Sequence, residues 1–297
     1  MHPVLLQIQF ALYLLAATHA IQGEPTVTRI EDIPYGDTGH ERCQMDLYLP
    51  PADSANGAAV LFVHGGGWHQ GHRGQWRGLA EKLAANGYVC ASIGYRLLPD
   101  HTFPVQIEDV RAAMAAFKDR ADEYGFDPER IGVVGSSAGG QLAALLATIA
   151  EDDELGVSSG LSRRDTRPAA AALYNPVVDF THDEERMRRS IPLFGGTIDE
   201  NRPLYEAASP ALRIDDHTPP MLFLYGTKDA LTPVSTVFPM AHRLYEYRIP
   251  CEIALFIGQE HGFGYGLRHP EQQRAAEKVC VFFNRHLVRE TGKTVQQ

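Results

Sequence analysis

The sequence predicts an α/β protein with a mostly parallel sheet of eight strands and helices on both faces. Short apolar runs rich in β-branched residues recur along the chain and alternate with helical patterns. Several runs are apolar at every position, which is typical of strands buried on both faces of a parallel sheet. Polar or glycine-rich residues follow these runs directly, at the edge where parallel sheets collect their functional groups.

Eight segments have the pattern of strands. Residues 26–35 alternate apolar and polar side chains, as an edge strand does, whereas residues 58–63 are apolar throughout. The predicted strands are residues 26–35, 45–49, 58–63, 88–93, 130–134, 169–174, 221–225 and 253–257.

Helical patterns occupy most of the intervals between strands. A short helix over residues 79–86 ends at Gly87, because glycine readily adopts the conformation that terminates a helix. Residues 105–124 carry apolar side chains along one helical face. Two further helices are expected over residues 141–148 and 271–288.

Composition and length indicate one globular domain. The chain has 297 residues, of which 44% are hydrophobic, and we expect a single domain over residues 21–297. Within it, the polar segment 181–210 is expected as a small insertion above the sheet edge. The net charge of −10, without any Lys/Arg-rich run, argues against binding to nucleic acid.

The N-terminus has the features of a leader. Residues 4–17 are almost entirely apolar, and small residues at Thr18 and Ala20 fit a cleavage site. We therefore predict a signal peptide over residues 1–20 and a secreted or periplasmic protein. An apolar helix that anchors or packs is the alternative, because Lys and Arg are absent from this segment. No stretch has the length of a membrane span, so stable membrane insertion is not expected.

Cysteines and histidines do not form a metal motif. The spacings of Cys43, Cys90, Cys251 and Cys280 match no metal site, and their pairing is left open. Cys90 lies in an apolar run, which favours a free buried thiol. The histidines of residues 69–72 have i, i+3 spacing, but the surrounding glycines favour a solvated loop. Neither a P-loop nor a dinucleotide-binding fingerprint is present.

Ser137 has the local context of a nucleophile. It is the central residue of a G-x-S-x-G motif, between the predicted strand 130–134 and a helix. Glycines on both sides allow a turn so tight that a Cβ atom would collide with the neighbouring elements. The helix behind the turn offers partial positive charge and free N–H groups to a developing anion.

Two residues supply what a serine nucleophile requires. His261 follows the last predicted strand and is the candidate general base. Asp229 follows the preceding strand and is the candidate acid that orients the imidazole. Asp179 also follows a strand and is the alternative acid, whereas Asp216 precedes a strand and lies at the wrong edge.

The glycines that follow the third predicted strand are candidates for stabilising an oxyanion. Gly66 and Gly67 can bring their N–H groups close to a substrate carbonyl, and the N–H of Ala138 is the third candidate donor. His64 is expected to brace this loop. Trp68 either lines the acyl pocket or packs in the core.

Five motifs together carry a family resemblance. They are HGGGW at 64–68, YRL at 95–97 with FP at 103–104, GSSAGG at 135–140, and the segments around Asp229 and His261. They resemble the α/β-hydrolase superfamily, and more narrowly its hormone-sensitive-lipase-like esterases and their acetyl-xylan and feruloyl esterase relatives. The resemblance implies Ser137 as nucleophile, His261 as base and Asp229 as acid, with no cofactor.

The resemblance implies a serine carboxylesterase that forms an acyl-enzyme. Hormone-sensitive-lipase-like members usually carry a long N-terminal cap, for which the sequence leaves little room, and we expect a more open site with segment 181–210 as a partial lid. An open site on an exported protein favours bulky substrates with small acyl groups, such as acetylated plant-wall polysaccharide. A serine peptidase or amidase of the same fold, and a non-catalytic binding module, are the alternatives.

Overall fold

One mixed sheet runs through the molecule. The computed structural model describes residues 26–150, 153, 155–157 and 166–289. The strands are β1 (Thr28–Pro34), β2 (Gln44–Leu49), β3 (Ala59–Val63), β4 (Val89–Ile93), β5 (Ile131–Ser136), β6 (Ala170–Tyr174), β7 (Met221–Gly226) and β8 (Cys251–Phe256).

The strand order in the sheet is β1-β2-β4-β3-β5-β6-β7-β8. β2 pairs antiparallel with both β1 and β4, and every other pairing is parallel. This architecture confirms the predicted mostly parallel, eight-stranded sheet. Because β3, β5, β6, β7 and β8 point the same way, the loops that follow them meet at one edge.

Helices connect the strands. They are α1 (Arg77–Ala85), α2 (Val105–Lys118), α3 (Ala121–Tyr124), α4 (Ala138–Thr148), α5 (Glu184–Arg189), α6 (Ile191–Phe194), α7 (Ile198–Ala207), α8 (Phe238–Glu246) and α9 (Pro270–Leu287). Short 3-10 turns lie at Arg73–Trp76, Pro210–Leu212 and Val234–Val237.

The core has two layers, one on each face of the sheet. Leu61 of β3 faces the layer formed with α2 and α4, whereas its neighbours Val60 and Phe62 face the layer formed with α1 and α9. Successive side chains of a strand point to opposite faces, so an entirely apolar strand supplies both layers. Helices therefore cover both faces, as predicted.

Two predicted helices differ from the structure, and helix α8 was not predicted. The helix predicted over residues 105–124 breaks after Lys118, where the Arg120 guanidinium donates to the carbonyl of Ala116. The helix predicted from residue 141 begins at Ala138, directly after Ser137. Helix α8 is an element that the sequence patterns did not predict, because its nine residues bury only Met240 and Leu244.

Segment 181–210 is less polar inside than its sequence indicates. Helices α5, α6 and α7 form it, and Leu193, Phe194 and Tyr205 are buried. Phe194 contacts Tyr205 and Phe180, with ring centroids 4.1 and 5.2 Å apart, respectively. The charged residues of this segment lie around an apolar interior that fixes it to the sheet domain.

The remaining sequence features are placed as follows. All four cysteines are free thiols, and Cys90 is buried as expected. Among the described residues, no helix has the length and hydropathy to cross a membrane, and no group of three or more potential ligands could hold a metal ion. The predicted signal peptide, residues 1–20, lies outside the described residues.

Candidate active site

Ser137 occupies a sharp turn between β5 and α4. Its backbone lies at φ 54°, ψ −120°, a strained conformation for a residue with a side chain. The turn brings Gly139 so close to β3 that an added Cβ would lie 2.3 Å from the carbonyl oxygens of Val63 and His64. An added Cβ at Gly135 would lie 2.1 Å from the Gly139 oxygen. The two glycines are therefore required for the turn that presents Ser137.

The structure brings the three predicted residues Ser137, His261 and Asp229 into one hydrogen-bonded series. His261 Nε2 lies 2.8 Å from Ser137 Oγ, and His261 Nδ1 lies 2.9 Å from Asp229 Oδ2. An ionised carboxylate can only accept, so Nδ1 carries the proton and Nε2 is free to accept from the serine hydroxyl. In this arrangement the imidazole can take up the proton of Ser137 as Oγ attacks an electrophile.

Asp229 is surrounded by hydrogen-bond donors. Its side chain is fully buried, and Oδ1 accepts from the N–H groups of Leu231 and Thr232 at 2.9 and 2.8 Å. Oδ2 accepts from His261 and from the Thr232 hydroxyl, and also from Asn175 Nδ2. Burial raises the pKa of Asp229, but the hydrogen bonds from His261 and Thr232 outweigh it, and the pKa lies below its usual range. The carboxylate therefore stays ionised beside the imidazole.

Neither Asp179, the alternative acid, nor Asp216, which the sequence analysis rejected, hydrogen-bonds to His261. Asp179 accepts from Thr181 and is paired with His182, so it forms a local turn. Asp216 is exposed and precedes β7, at the opposite edge of the sheet from Ser137. Asp229 is the carboxylate that contacts His261.

The backbone after β3 forms an open cradle beside Ser137. Gly66, Gly67 and Trp68 follow one another with φ values of 120°, 60° and 63°. Gly67 and Trp68 line the same cavity as Ser137. Among the described residues, the N–H groups of Gly66, Gly67 and Ala138 have no hydrogen-bond acceptor. They are available to an oxyanion formed at the carbon that Ser137 attacks.

Neighbouring elements hold this loop in place. The N–H of Gly65 donates to the hydroxyl of Tyr265 at 2.6 Å, and the Tyr95 hydroxyl donates to the carbonyl of His64 at 2.8 Å. The Arg42 guanidinium donates to the carbonyl of Gly71 at 2.5 Å. The loop is thereby fixed before any substrate arrives, which is the condition for effective oxyanion stabilisation.

The buried ring of His64 supports the loop that follows β3. Its ring stacks on Tyr95 with centroids 4.3 Å apart, and Nδ1 donates to the Gly65 carbonyl at 2.8 Å. Burial lowers the pKa of His64 to about 3, so the ring is neutral at physiological pH.

Trp68 both packs and lines the pocket. Its Nε1 donates to the side-chain oxygen of the buried Gln141 at 3.1 Å, and Gln141 Nε2 in turn donates to the Ala208 carbonyl at 2.9 Å. The indole also contacts Phe180, with ring centroids 5.7 Å apart. Gln141 thus joins the glycine loop, the helix behind Ser137 and the end of segment 181–210.

A cavity of about 590 Å³ opens above Ser137. Its apolar lining includes Trp68, Leu98, Val177, Leu193 and Leu231. Helix α5 and the residue before it add charged side chains, Asp183, Glu185, Arg186 and Arg189. The cavity can therefore hold an apolar group beside Ser137 and also offer donors and acceptors to a polar one.

Several residues of the site were not predicted. Asn175, Thr232, Gln141 and Tyr265 contact the predicted residues through side chains from different loops and helices. Asn175 directly follows β6, a position typical of functional residues in such sheets, and this is the signal that could have identified it. The other three have no signal in local sequence.

The sequence of this chain matches a family model and is similar to those of known proteins. A family model described as BD-FAE matches residues 45–244 of the chain. The probable carboxylic ester hydrolase LipM of Mycobacterium tuberculosis is 37% identical over 212 residues, which are 68% of this chain and 48% of LipM. The chain thus spans about half the length of that relative.

Solved structures show a similar fold over most of the chain. A truncated carbohydrate esterase from the gut microbiota has a TM-score of 0.77 at 21% identity, covering 89% of this chain and 98% of that one. A butyrate-bound esterase from the planctomycete Thermogutta terrifontis has a TM-score of 0.70 at 25% identity, covering 84% of this chain and 91% of that one.

Proposed function

Because the chain belongs to the BD-FAE family of α/β-hydrolases, we propose that it is a serine carboxylesterase acting on short-acyl esters through an acyl-enzyme. The observation that carries this proposal is the hydrogen-bonded series from Ser137 through His261 to Asp229, beside three N–H groups without acceptors among the described residues. Such a series activates a hydroxyl that is otherwise barely nucleophilic at neutral pH.

The proposed reaction has two halves. In the first, His261 Nε2 takes the proton of Ser137 while Oγ bonds to the ester carbonyl carbon, and the carbonyl oxygen becomes an alkoxide held by the N–H groups of Gly66, Gly67 and Ala138. The imidazolium gives its proton to the departing alcohol, leaving an acyl-enzyme. In the second, a water deprotonated by His261 attacks the acyl carbon, and the carboxylic acid leaves as Ser137 regains its proton.

For the substrate, we propose a small acyl group on a hydroxyl-rich alcohol, such as an acetylated plant-wall polysaccharide. The mixed lining of the cavity supports this assignment, because the apolar side chains suit a short acyl chain and the charged side chains of α5 can hydrogen-bond to sugar hydroxyls. The similar solved structures include an esterase with bound butyrate, which is a short acyl group, and a carbohydrate esterase, and both support this substrate class.

An acyl-length series tests this assignment. We expect kcat/KM for p-nitrophenyl acetate and butyrate to exceed that for the octanoate, and acetate to be released from acetyl xylan. A preference for octanoate or longer chains would contradict the short-acyl assignment. Absence of acetate release, with p-nitrophenyl acetate still hydrolysed, would contradict the polysaccharide assignment alone.

We also propose that residues 1–20 direct export and are then removed. The apolar run over residues 4–17 and the small residues at Thr18 and Ala20 support this. N-terminal sequencing of the exported protein should begin at Ile21. A retained N-terminus would instead favour an anchoring or packed helix.

A further inference from the structure

Asn175 reaches the catalytic carboxylate from the neighbouring strand. It follows β6 directly and is fully buried, and its Nδ2 donates to Asp229 Oδ2, the same oxygen that accepts from His261. The amide orientation is fixed by chemistry, because the reversed amide would place two acceptor oxygens against each other.

The surroundings of Asn175 are unfavourable for its amide oxygen. Its backbone has a φ of 46°, in the left-handed region that asparagine adopts more readily than most residues with side chains. Its Oδ1 is buried without a hydrogen-bond partner among the described residues. A buried acceptor that lacks a donor destabilises the folded state. The hydrogen bond that its side chain makes among the described residues is the one to Asp229, so that contact explains its presence best.

The backbone of Asn175 is locked on both sides. Its N–H donates to the carbonyl of Leu224 in β7 at 3.0 Å, and its own carbonyl lies 3.3 Å from the Thr232 hydroxyl. The single proton of that hydroxyl is shared with Asp229 Oδ2, which is the nearer acceptor at 2.9 Å. Hydrogen bonds therefore link the end of β6 to the turn that carries Asp229, and they fix the direction of the Asn175 amide toward that carboxylate.

We infer that Asn175 is a positioning residue, which holds Asp229 Oδ2 in the orientation that His261 requires and shares the negative charge of that oxygen. The inference rests on the proposed esterase function. The titratable groups that interact with Asp229 are His261 and the buried Tyr225. Of these, His261 alone hydrogen-bonds to the oxygen that Asn175 contacts.

Two substitutions test the inference without straining the backbone. Asn175→Gly removes the donor, and glycine accepts a positive φ freely. Asn175→Asp keeps the shape, and aspartate also tolerates this conformation. Because two buried carboxyl groups in contact cannot both ionise, the pair formed with Asp229 holds one proton, which can restore the hydrogen bond. Asn175→Gly leaves more negative charge on Asp229 facing His261, which favours the imidazolium, and the shared proton makes this change smaller in Asn175→Asp.

For Asn175→Gly we expect kcat with p-nitrophenyl acetate to fall roughly 10- to 100-fold with KM nearly unchanged, as for loss of a hydrogen bond to a charged group. The acid limb of the kcat/KM profile should move to higher pH in Asn175→Gly, and less far in Asn175→Asp, whose shared proton can replace the lost donor. Asp179→Asn, which alters the other acid after β6, is the matched control and should leave the profile in place.

An acid limb that stays in place in Asn175→Gly would overturn the inference, even if kcat or the free energy of unfolding falls, because a merely structural role predicts that pattern. A second readout does not depend on turnover. In the Ser137→Ala background, the downfield proton resonance of the His261 ring N–H should titrate at higher pH once Asn175→Gly is added. Failure of the wild-type protein to hydrolyse esters would contradict the proposed function, whereas an unmoved resonance would contradict the role of Asn175.

Discussion

Two histidines close to the reacting centre differ in what surrounds them. His64 is completely buried and stacks on Tyr95, and burial lowers its pKa to about 3. His261 is partly exposed at 22% and lies between a serine and a carboxylate. The first geometry suits a neutral brace, and the second suits a group that gains and loses protons during a reaction. At the scale of the residue, environment separates the two roles.

The depressed pKa of His64 predicts a pH-dependent stability. Between pH 6.5, the usual pKa of histidine, and about pH 3, His64 binds a proton in the unfolded state but not in the folded state. The contribution of neutral His64 to the free energy of unfolding is therefore fully present above pH 6.5. It is lost as the pH falls, at up to about 1.4 kcal/mol per pH unit. His64→Asn should lack this component.

Urea denaturation at about pH 7 and about pH 5 measures this difference. The free energy of unfolding should fall more steeply with decreasing pH in the wild-type protein than in His64→Asn. Equal slopes for the two proteins would show that His64 titrates alike in the folded and unfolded chain.

At the scale of the element, the glycine loop after β3 depends on contacts with distant parts of the chain. Tyr265 accepts from the N–H of Gly65 at 2.6 Å, although the two residues are 200 positions apart. Gln141 fixes Trp68 at the other end of the loop. A loop rich in glycine would otherwise sample many conformations, so these contacts pre-organise its N–H groups.

Removing the Tyr265 hydroxyl should weaken transition-state stabilisation. In Tyr265→Phe the Gly65 N–H loses its acceptor, and the adjoining donors of Gly66 and Gly67 lose their fixed position. We expect a roughly 10-fold lower kcat for p-nitrophenyl acetate with little change in KM, because the oxyanion exists only beyond the ground state. Tyr245→Phe, at an exposed tyrosine, is the control. A raised KM with unchanged kcat would argue against this role of the loop.

Helix α5 supplies a comparison between adjacent arginines. Arg189 lines the cavity and pairs with Glu185, whereas Arg188 is exposed and does not line it. We expect Arg189→Ala to lower kcat/KM for acetyl xylan several-fold, with a much smaller effect on p-nitrophenyl acetate, because a sugar chain reaches further from Ser137. Arg188→Ala should change neither rate. Equal effects of the two substitutions would contradict a sugar-binding role for this helix face.

At the scale of the whole molecule, the parallel strands bring distant segments to one edge. Ser137 follows β5, Asn175 follows β6, Asp229 follows β7 and His261 follows β8, so one sheet edge carries them all. The predicted α/β-hydrolase fold is confirmed by the strand order and by the similarity to solved esterases. The edge exists only in the folded sheet, since residues 137 and 261 are far apart along the chain.

Sequence patterns predicted the parts of this site that depend on local chemistry. The turn at Ser137 is visible because its glycines are required within a few residues of it, and each apolar strand marks where a functional loop begins. The position of Asn175 after β6 marks it as a candidate, but its partner Asp229 lies in another loop. Tyr265 could not be assigned a role, since its importance comes from its contact with Gly65. The apolar interior of segment 181–210 was not predicted either, because its few buried side chains, such as Phe194, are surrounded in the sequence by many charged residues.

The most direct test of the central claim is covalent labelling of the proposed nucleophile. A fluorophosphonate reacts rapidly with a serine activated as proposed for Ser137, and mass spectrometry measures both the number and the position of the adducts. We expect the wild-type protein to gain one adduct on the peptide that contains Ser137, and Ser137→Ala to gain none while remaining folded. An unlabelled wild-type protein, or equal labelling of Ser137→Ala, would contradict the account.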